Sequence, residues 1–200
     1  MNKILVLFAH PAFERSTMHR SLLQHIKQLE NVTINDLYEN YPDFEIDVER
    51  EKKLLSEHQV IIWQHPLFWY SGPALLKQWQ DLVFEYGWAY GKDTYALEGK
   101  IIFNAITSGG ELEAFQKRCF HNSTIRDFLL PFERTAEICR MTYLSPFWVP
   151  ETEKLGMARI LEFGQRYQDL LRLLGDNDLN DPKFLSVPLL NKLVSTGKPI

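Results

Sequence analysis

The run ILVLFAHPAFERSTMHRSLLQHIKQLE, residues 4–30, changes periodicity within a dozen positions. Ile4 to Phe8 is apolar at every position, as expected of a strand buried on both faces. Met18, Leu22, Ile26 and Leu29 then recur at spacings of four, four and three, one face of a helix that begins near Ser16, with Ser16 or Thr17 as its N-cap. A doubly buried strand followed at once by an amphipathic helix is the opening of a parallel α/β sheet.

The rest of the chain repeats that alternation. Strand-like runs stand at Val32 to Leu37, Val60 to Trp63, Ile101 to Ile106 and, more weakly, Met141 to Phe147. Gly72 and Pro73 precede a helix expected to run to about Tyr86, with Pro73 in its first turn and Leu75, Trp79 and Leu82 on one face. Ile125, Phe128, Leu129 and Phe132 mark another helix, which Pro131 should kink. Met157, Ile160, Leu161, Tyr167, Leu171 and Leu174 mark a last one, stopped by Gly175. Five strands with helical crossovers imply a doubly wound parallel sheet of order 2-1-3-4-5 over residues 1–175. Residues 176–200, with Pro182, Pro188 and Pro199, read as an extended tail able to pack on a neighbour.

Composition narrows the function. The chain has 200 residues, 26 Asp and Glu against 22 Lys and Arg, and a net charge of −4, so it has no electrostatic means of neutralising a nucleic acid backbone. No apolar run approaches the ~18 residues of a membrane span, and the first has no cleavage pattern after it, so a cytoplasmic location is expected. Cys119 and Cys139 match no redox or zinc spacing and read as buried free thiols. The histidine spacings stack no metal-ligand pair on a helix turn, so no metal is expected. Glu49 to Lys53 reads as a solvated helix face, and Lys77 with Asp81 as an i, i+4 ion pair.

In a sheet of this order ligands bind beyond the carboxyl ends of the strands, where the strand order reverses. That rule selects three loops. The first, 9–16, feeds a helix N-terminus whose free amides, with Ser16 and Thr17, suit a phosphate; its lack of glycines excludes a Walker loop or a dinucleotide fingerprint. The second, 64–72, carries the consecutive aromatics Phe68, Trp69 and Tyr70, which would suit a planar ligand, a subunit interface or a satellite core. The third, Thr107-Ser108-Gly109-Gly110, offers hydroxyls and backbone amides. Singly, Ser16 is an N-cap, His10 a loop histidine and Gly-Gly an ordinary turn; the functional reading rests on their coincidence.

A phosphate seat, an aromatic wall and an amide cradle together describe a flavin mononucleotide site. The segments AHPAFERST (9–17), QHPLFWYSGPALLKQWQDLVFEYGWAYG (64–91) and TSGG (107–110) resemble the NAD(P)H:quinone oxidoreductase family of flavodoxin-like proteins. YPDFEID (41–47) and RMTYLSPF (140–147) resemble in particular the ancillary oxidoreductases of bacterial glutathione-gated potassium-efflux systems. The resemblance covers roughly residues 3–170. It implies His10, Ser16, Thr17, Met18 and His19 on the flavin phosphate side. Leu67, Phe68, Trp69 and Tyr70 would lie along the isoalloxazine, and Thr107, Ser108, Gly109 and Gly110 at its pyrimidine edge. It further implies a homodimer in which Tyr90 reaches the partner's site, a catalytic His121, and FMN, with FAD as the alternative.

The implied activity is two-electron transfer from NAD(P)H through flavin to a quinone-like acceptor. The alternative is a regulatory subunit docked on the cytosolic side of a potassium antiporter, which would make it peripheral to the membrane. Phe115 departs from the family pattern, since a tyrosine hydroxyl is expected five residues after Gly110. Two other proteins of this fold fail on their motifs. A receiver domain needs acidic residues where Ala9-His10 and Gln64-His65 stand, and an electron-carrying flavodoxin needs a Thr/Ser-Gly-rich loop where 11–15 stands.

Overall fold

A computed structural model describes residues 1–91 and 94–194. In chain order its elements are β1 (Ile4–Phe8), α1 (Thr17–Ile26), β2 (Val32–Asp36), α2 (Leu37–Asn40), α3 (Val48–Glu57), β3 (Val60–Pro66) and α4 (Ala74–Val83). They continue with β4 (Ile101–Thr107), α5 (Ile125–Phe128), α6 (Leu130–Ile138), β5 (Thr142–Tyr143), β6 (Phe147–Val149) and α7 (Met157–Asp176). All strand pairs are parallel, in the expected order β2-β1-β3-β4-β5, with β6 also pairing β4. The fifth strand is two pieces because Ser145-Pro146 interrupts it, and Pro146 has no N–H to give the ladder.

Alternation along the strands divides the core. Leu5, Leu7, Ile61 and Trp63 face a layer that includes Leu55 of α3, Leu75 and Trp79 of α4 and Phe132 of α6. Ile4, Val6, Phe8 and Ile62 face α1 and α7 through Leu22, Ile26, Phe163 and Tyr167. Every residue of β1 is fully buried, which is why its sequence is apolar without alternation.

Several expectations are corrected by packing. Pro73 is the N-cap of α4, outside the helix, and the helix ends at Val83 instead of near Tyr86. Leu82 is 41% exposed while Val83 is fully buried, since the row Leu75, Trp79, Val83 continues at strict spacings of four. On α7 Met157 and Leu161 are exposed, and Phe163 and Leu170 complete the buried stripe. Gly175 lies inside α7, where a Cβ would meet Asn31 Nδ2 at 2.6 Å; close packing, not termination, explains it. The break at Pro131 is sharper than a kink, with α5 and α6 separated at Leu129.

Two polar expectations also fail. Cys139 is buried but Cys119 is exposed. Glu51, expected on a solvated face, is fully buried and accepts hydrogen bonds from Tyr41 Oη (2.6 Å), Asn35 Nδ2 (2.7 Å), Trp79 Nε1 (2.8 Å) and Arg50. Donors fill its lone pairs and replace the water it has lost. Burial and the Glu51 carboxylate push the Tyr41 phenol up to about 12. Lys77 and Asp81 form the expected exposed ion pair.

Past α7 the chain returns to its own core instead of extending away. Phe184 and Leu190 are fully buried, and Asn191 binds both backbone groups of Trp148, donating to its carbonyl and accepting from its amide at 2.9 Å each. A side-chain amide thus takes the place of a neighbouring strand along the outer edge of β6. The part of the expected tail beyond residue 194, with Pro199, lies outside the described residues.

A buried polar chain ties the middle of the sheet together. Tyr143 Oη donates to Asn104 Oδ1 (2.5 Å), Asn104 Nδ2 to His65 Nε2 (2.9 Å), and His65 Nδ1 to the Pro66 carbonyl (2.9 Å). One imidazole proton satisfies this set, and burial pushes His65 down to about 4 from 6.5. Between those values the unfolded chain binds a proton that the folded chain refuses, so stability is full above about pH 6.5 and falls as pH drops toward 4, by about 3 kcal/mol from this group. Chemical denaturation across this window is expected to show that decline, and His65→Gln to flatten it by about one proton. An unchanged slope in the variant would show that His65 is not the group responsible.

Candidate functional site

The three loops named by the topology rule converge. They bound a cavity of about 660 Å³, within the range of small-molecule sites. His10, Ser16, Thr17 and Met18 enter from the first loop, Leu67 and Phe68 from the second, and Thr107, Ser108 and Gly109 from the third. Arg15 joins them from the first loop. Thr152, Glu153 and Leu155 come from the segment after β6, which sequence reasoning did not single out. The same rule applied to the last strand would have named it, had that strand been seen to run to Val149. Thr152 N to Ser108 O (3.0 Å) and Glu151 N to Gly110 O (3.2 Å) bind this segment to the third loop.

The hydrogen-bond pattern sets the character of the cavity. Ser16 caps α1 by accepting from His19 N at 3.2 Å, leaving its hydroxyl hydrogen and the first-turn amides of Thr17 and Met18 for a ligand. Ser108 Oγ accepts from Trp148 Nε1 at 3.0 Å; an indole can only donate, so the serine keeps its own hydrogen to give. His10 Nδ1 accepts from Ala12 N at 3.1 Å, and burial lowers its pKa, so the neutral ring carries its proton on Nε2. These donors call for a ligand rich in acceptors. Glu153, whose Oε1 lies 3.6 Å from where a Gly109 Cβ would stand, makes that end unfavourable to anions, and the N-terminus of α1 is the end that favours negative charge.

The remaining predicted residues stand around this cavity without lining it. His19 is fully buried behind it. Trp69 is 92% exposed, and Tyr70 stacks on Phe128 with centroids 5.2 Å apart. Their positive φ angles, 47° and 66°, close a two-residue turn held by reciprocal Phe68–Ser71 backbone bonds of 3.0 Å. Gly110 packs on Phe115, where a Cβ would come within 2.8 Å of the ring. His121 lies next to them, its ring 4.5 Å from Phe115 and 5.4 Å from Tyr70, with Nε2 3.9 Å from the same Gly110 Cβ position. Phe115 therefore occupies the interval between His121 and Trp148 with a ring that has no proton to give. Tyr90, after α4, packs on Tyr86 at 5.7 Å.

Comparison with known proteins agrees with this architecture. Residues 2–171 match the model of a family with the flavodoxin-like fold. The glutathione-regulated potassium-efflux system ancillary protein KefG of Serratia proteamaculans is 48% identical over 170 residues, 85% of this chain and 93% of that protein. The structure of general stress protein 14 from Treponema denticola, in complex with FMN, superposes with a TM-score of 0.82 at 34% identity, covering 86% of this chain and 99% of that one. An NADPH-quinone reductase from P. pentosaceus gives 0.77 at 34% identity, covering 84% and 96%. With the fold, the motifs and these relatives in agreement, the chain belongs to the flavodoxin-like NAD(P)H:quinone oxidoreductase family, alongside the potassium-efflux ancillary proteins.

Proposed function

We propose that the protein is an FMN-dependent oxidoreductase that takes a hydride from NAD(P)H and passes two electrons to a quinone-like acceptor. The observation that carries this reading is the convergence of Ser16, the first amides of α1, Ser108 and His10 as donors around one cavity of ligand size. Bound FMN would supply the two-electron chemistry. The chain's part is to hold it. Ser16, Thr17 and Met18 would seat the phosphate, Leu67 and Phe68 would cover the ring, and Thr107, Ser108 and Gly109 would meet its pyrimidine edge with hydroxyls and a backbone amide. His121, beside Gly110 and Tyr70, would be the group that holds or moves a proton at Nε2, a role Phe115 cannot share.

The second reading is an ancillary subunit of a potassium antiporter, supported by the name of the Serratia relative and by Phe115. No helix among the described residues is long and apolar enough to cross a membrane, so such a role requires a protein partner at the membrane's cytoplasmic face. Both readings accommodate a homodimer. Phe68 and Tyr70 are about half exposed, while Trp69 and Phe120 are almost fully so, an apolar surface suited to a second copy that Tyr90 would help complete. Left-handed φ at two bulky residues costs roughly 1–2 kcal/mol each, a strain retained where it serves a site or an interface.

Purified protein is expected to bind FMN, with absorbance near that of a flavoprotein, and to oxidise NADH or NADPH when a benzoquinone is supplied. A colourless preparation that takes up neither FMN nor FAD would refute the reading. His121→Ala is expected to keep its flavin and lose at least tenfold in turnover by stopped flow; unchanged turnover would remove His121 from the reaction. For the interface, Trp69→Asn, which tolerates a positive φ, is expected to weaken self-association at least tenfold in sedimentation experiments. A wild-type chain that stays monomeric at tens of micromolar would count against the dimer.

A further inference from the structure

Behind the cavity wall four buried side chains from four elements form a continuous chain of hydrogen bonds. Tyr167 Oη of α7 meets Gln64 Oε1 of β3 at 2.9 Å, Gln64 Nε2 meets His19 Nδ1 of α1 at 3.3 Å, and His19 Nε2 meets Thr107 Oγ1 at the end of β4 at 3.0 Å. Tyr167, Gln64 and His19 are fully buried, and Thr107 is 5% exposed where it lines the cavity.

Such a chain could run in either direction, and Tyr167 decides which. A phenol has one hydrogen to place, and Gln64 Oε1 is the acceptor within reach of it. With that oxygen occupied, the Gln64 amide presents its NH₂ to His19. Nδ1 must then be the bare nitrogen and Nε2 the protonated one, so His19 donates to Thr107 Oγ1. Burial holds His19 neutral, well below its ordinary pKa, which keeps Nδ1 free to accept. The Thr107 hydroxyl has then spent an acceptor position on His19, and its own hydrogen is left for whatever occupies the cavity.

We propose that the chain Tyr167–Gln64–His19 is a polarity lock that presents Thr107 to the cavity as a hydrogen-bond donor. The site thereby selects a ligand with a lone-pair atom at that point and rejects one with an N–H or O–H there. His19 acts as a positioning residue, from behind the wall. Ser108, made a donor by Trp148, extends the same polarity to the next residue. The ligand identity rests on the flavin reading above; the direction of the lock does not.

The test uses the full chain labelled with ¹⁵N-histidine. Nitrogen–proton correlation spectra without added ligand are expected to show His19 in the Nε2–H tautomer, with Nδ1 unprotonated. A His19 protonated on Nδ1 would reverse the chain and overturn the proposal, whatever the protein binds. In titrations with FMN, Tyr167→Phe and Thr107→Val are each expected to weaken binding about five- to tenfold, the worth of one net hydrogen bond. The double variant should lose no more than Thr107→Val alone, because the lock acts through that hydroxyl. Independent, multiplying losses would overturn the proposal even with the expected tautomer. A wild-type chain that fails to bind FMN would refute the flavin reading, and the tautomer would still decide the lock.

Discussion

Parallel pairing of β3 with both β1 and β4 is the constraint on which the rest of the molecule depends. Parallel neighbours cannot be joined by a tight turn, so each strand is followed by a crossover that leaves from the same edge of the sheet. The loops after β1, β3 and β4 are brought together by this geometry, although Ser16 and Thr107 stand 91 positions apart in the chain. α1 is aimed by the same geometry, so its unsatisfied first-turn amides open on the common crevice.

Covering both sheet faces has a second consequence. The buried amide and imidazole side chains of β3 and β4 cannot reach water and must find partners inside. Gln64, His65 and Asn104 all do so, and the partners they find determine which way hydrogens point. His65 and Asn104 settle into a closed arrangement that braces the carboxyl end of β3. Gln64 and His19 settle into one that terminates at the cavity. Interior hydrogen bonding thus passes information about polarity from the core to the ligand site, at positions that never touch the ligand.

The legible parts of the sequence were those in which one local signal sufficed. The apolar run at Ile4–Phe8, the row Met18, Leu22, Ile26, and the Ser16 cap each depend on neighbours a few residues away, and each stands in the structure as read, while Leu29, read as the end of that row, falls beyond the helix, which stops at Ile26. Leu82 and Leu161 misled because helical spacing admits two adjacent rows, and only the facing layer selects between them. Glu51 misled for a related reason. A charged helix segment reads as solvated unless the donors that will surround it are known, and Asn35, Tyr41 and Trp79 come from three other elements. Glu153 and Thr152 were overlooked because the last strand is broken by Pro146 and its end was placed too early.

The sequence by itself determined the alternation of strands and helices, the strand order that follows from it, and the three loops that had to meet, because periodicity and parallel handedness are properties of short segments and of chain connectivity. Tertiary structure alone decided which residues of those loops face the cavity. Trp69 stands exposed, Tyr70 packs on Phe128 and His121, His19 lies buried behind the wall, and Arg15 with the segment after β6 lines the cavity. The reason is that a side chain's direction and the placement of its protons are set by partners distant in sequence, and such partners exist only once the sheet and its helical layers have closed around them.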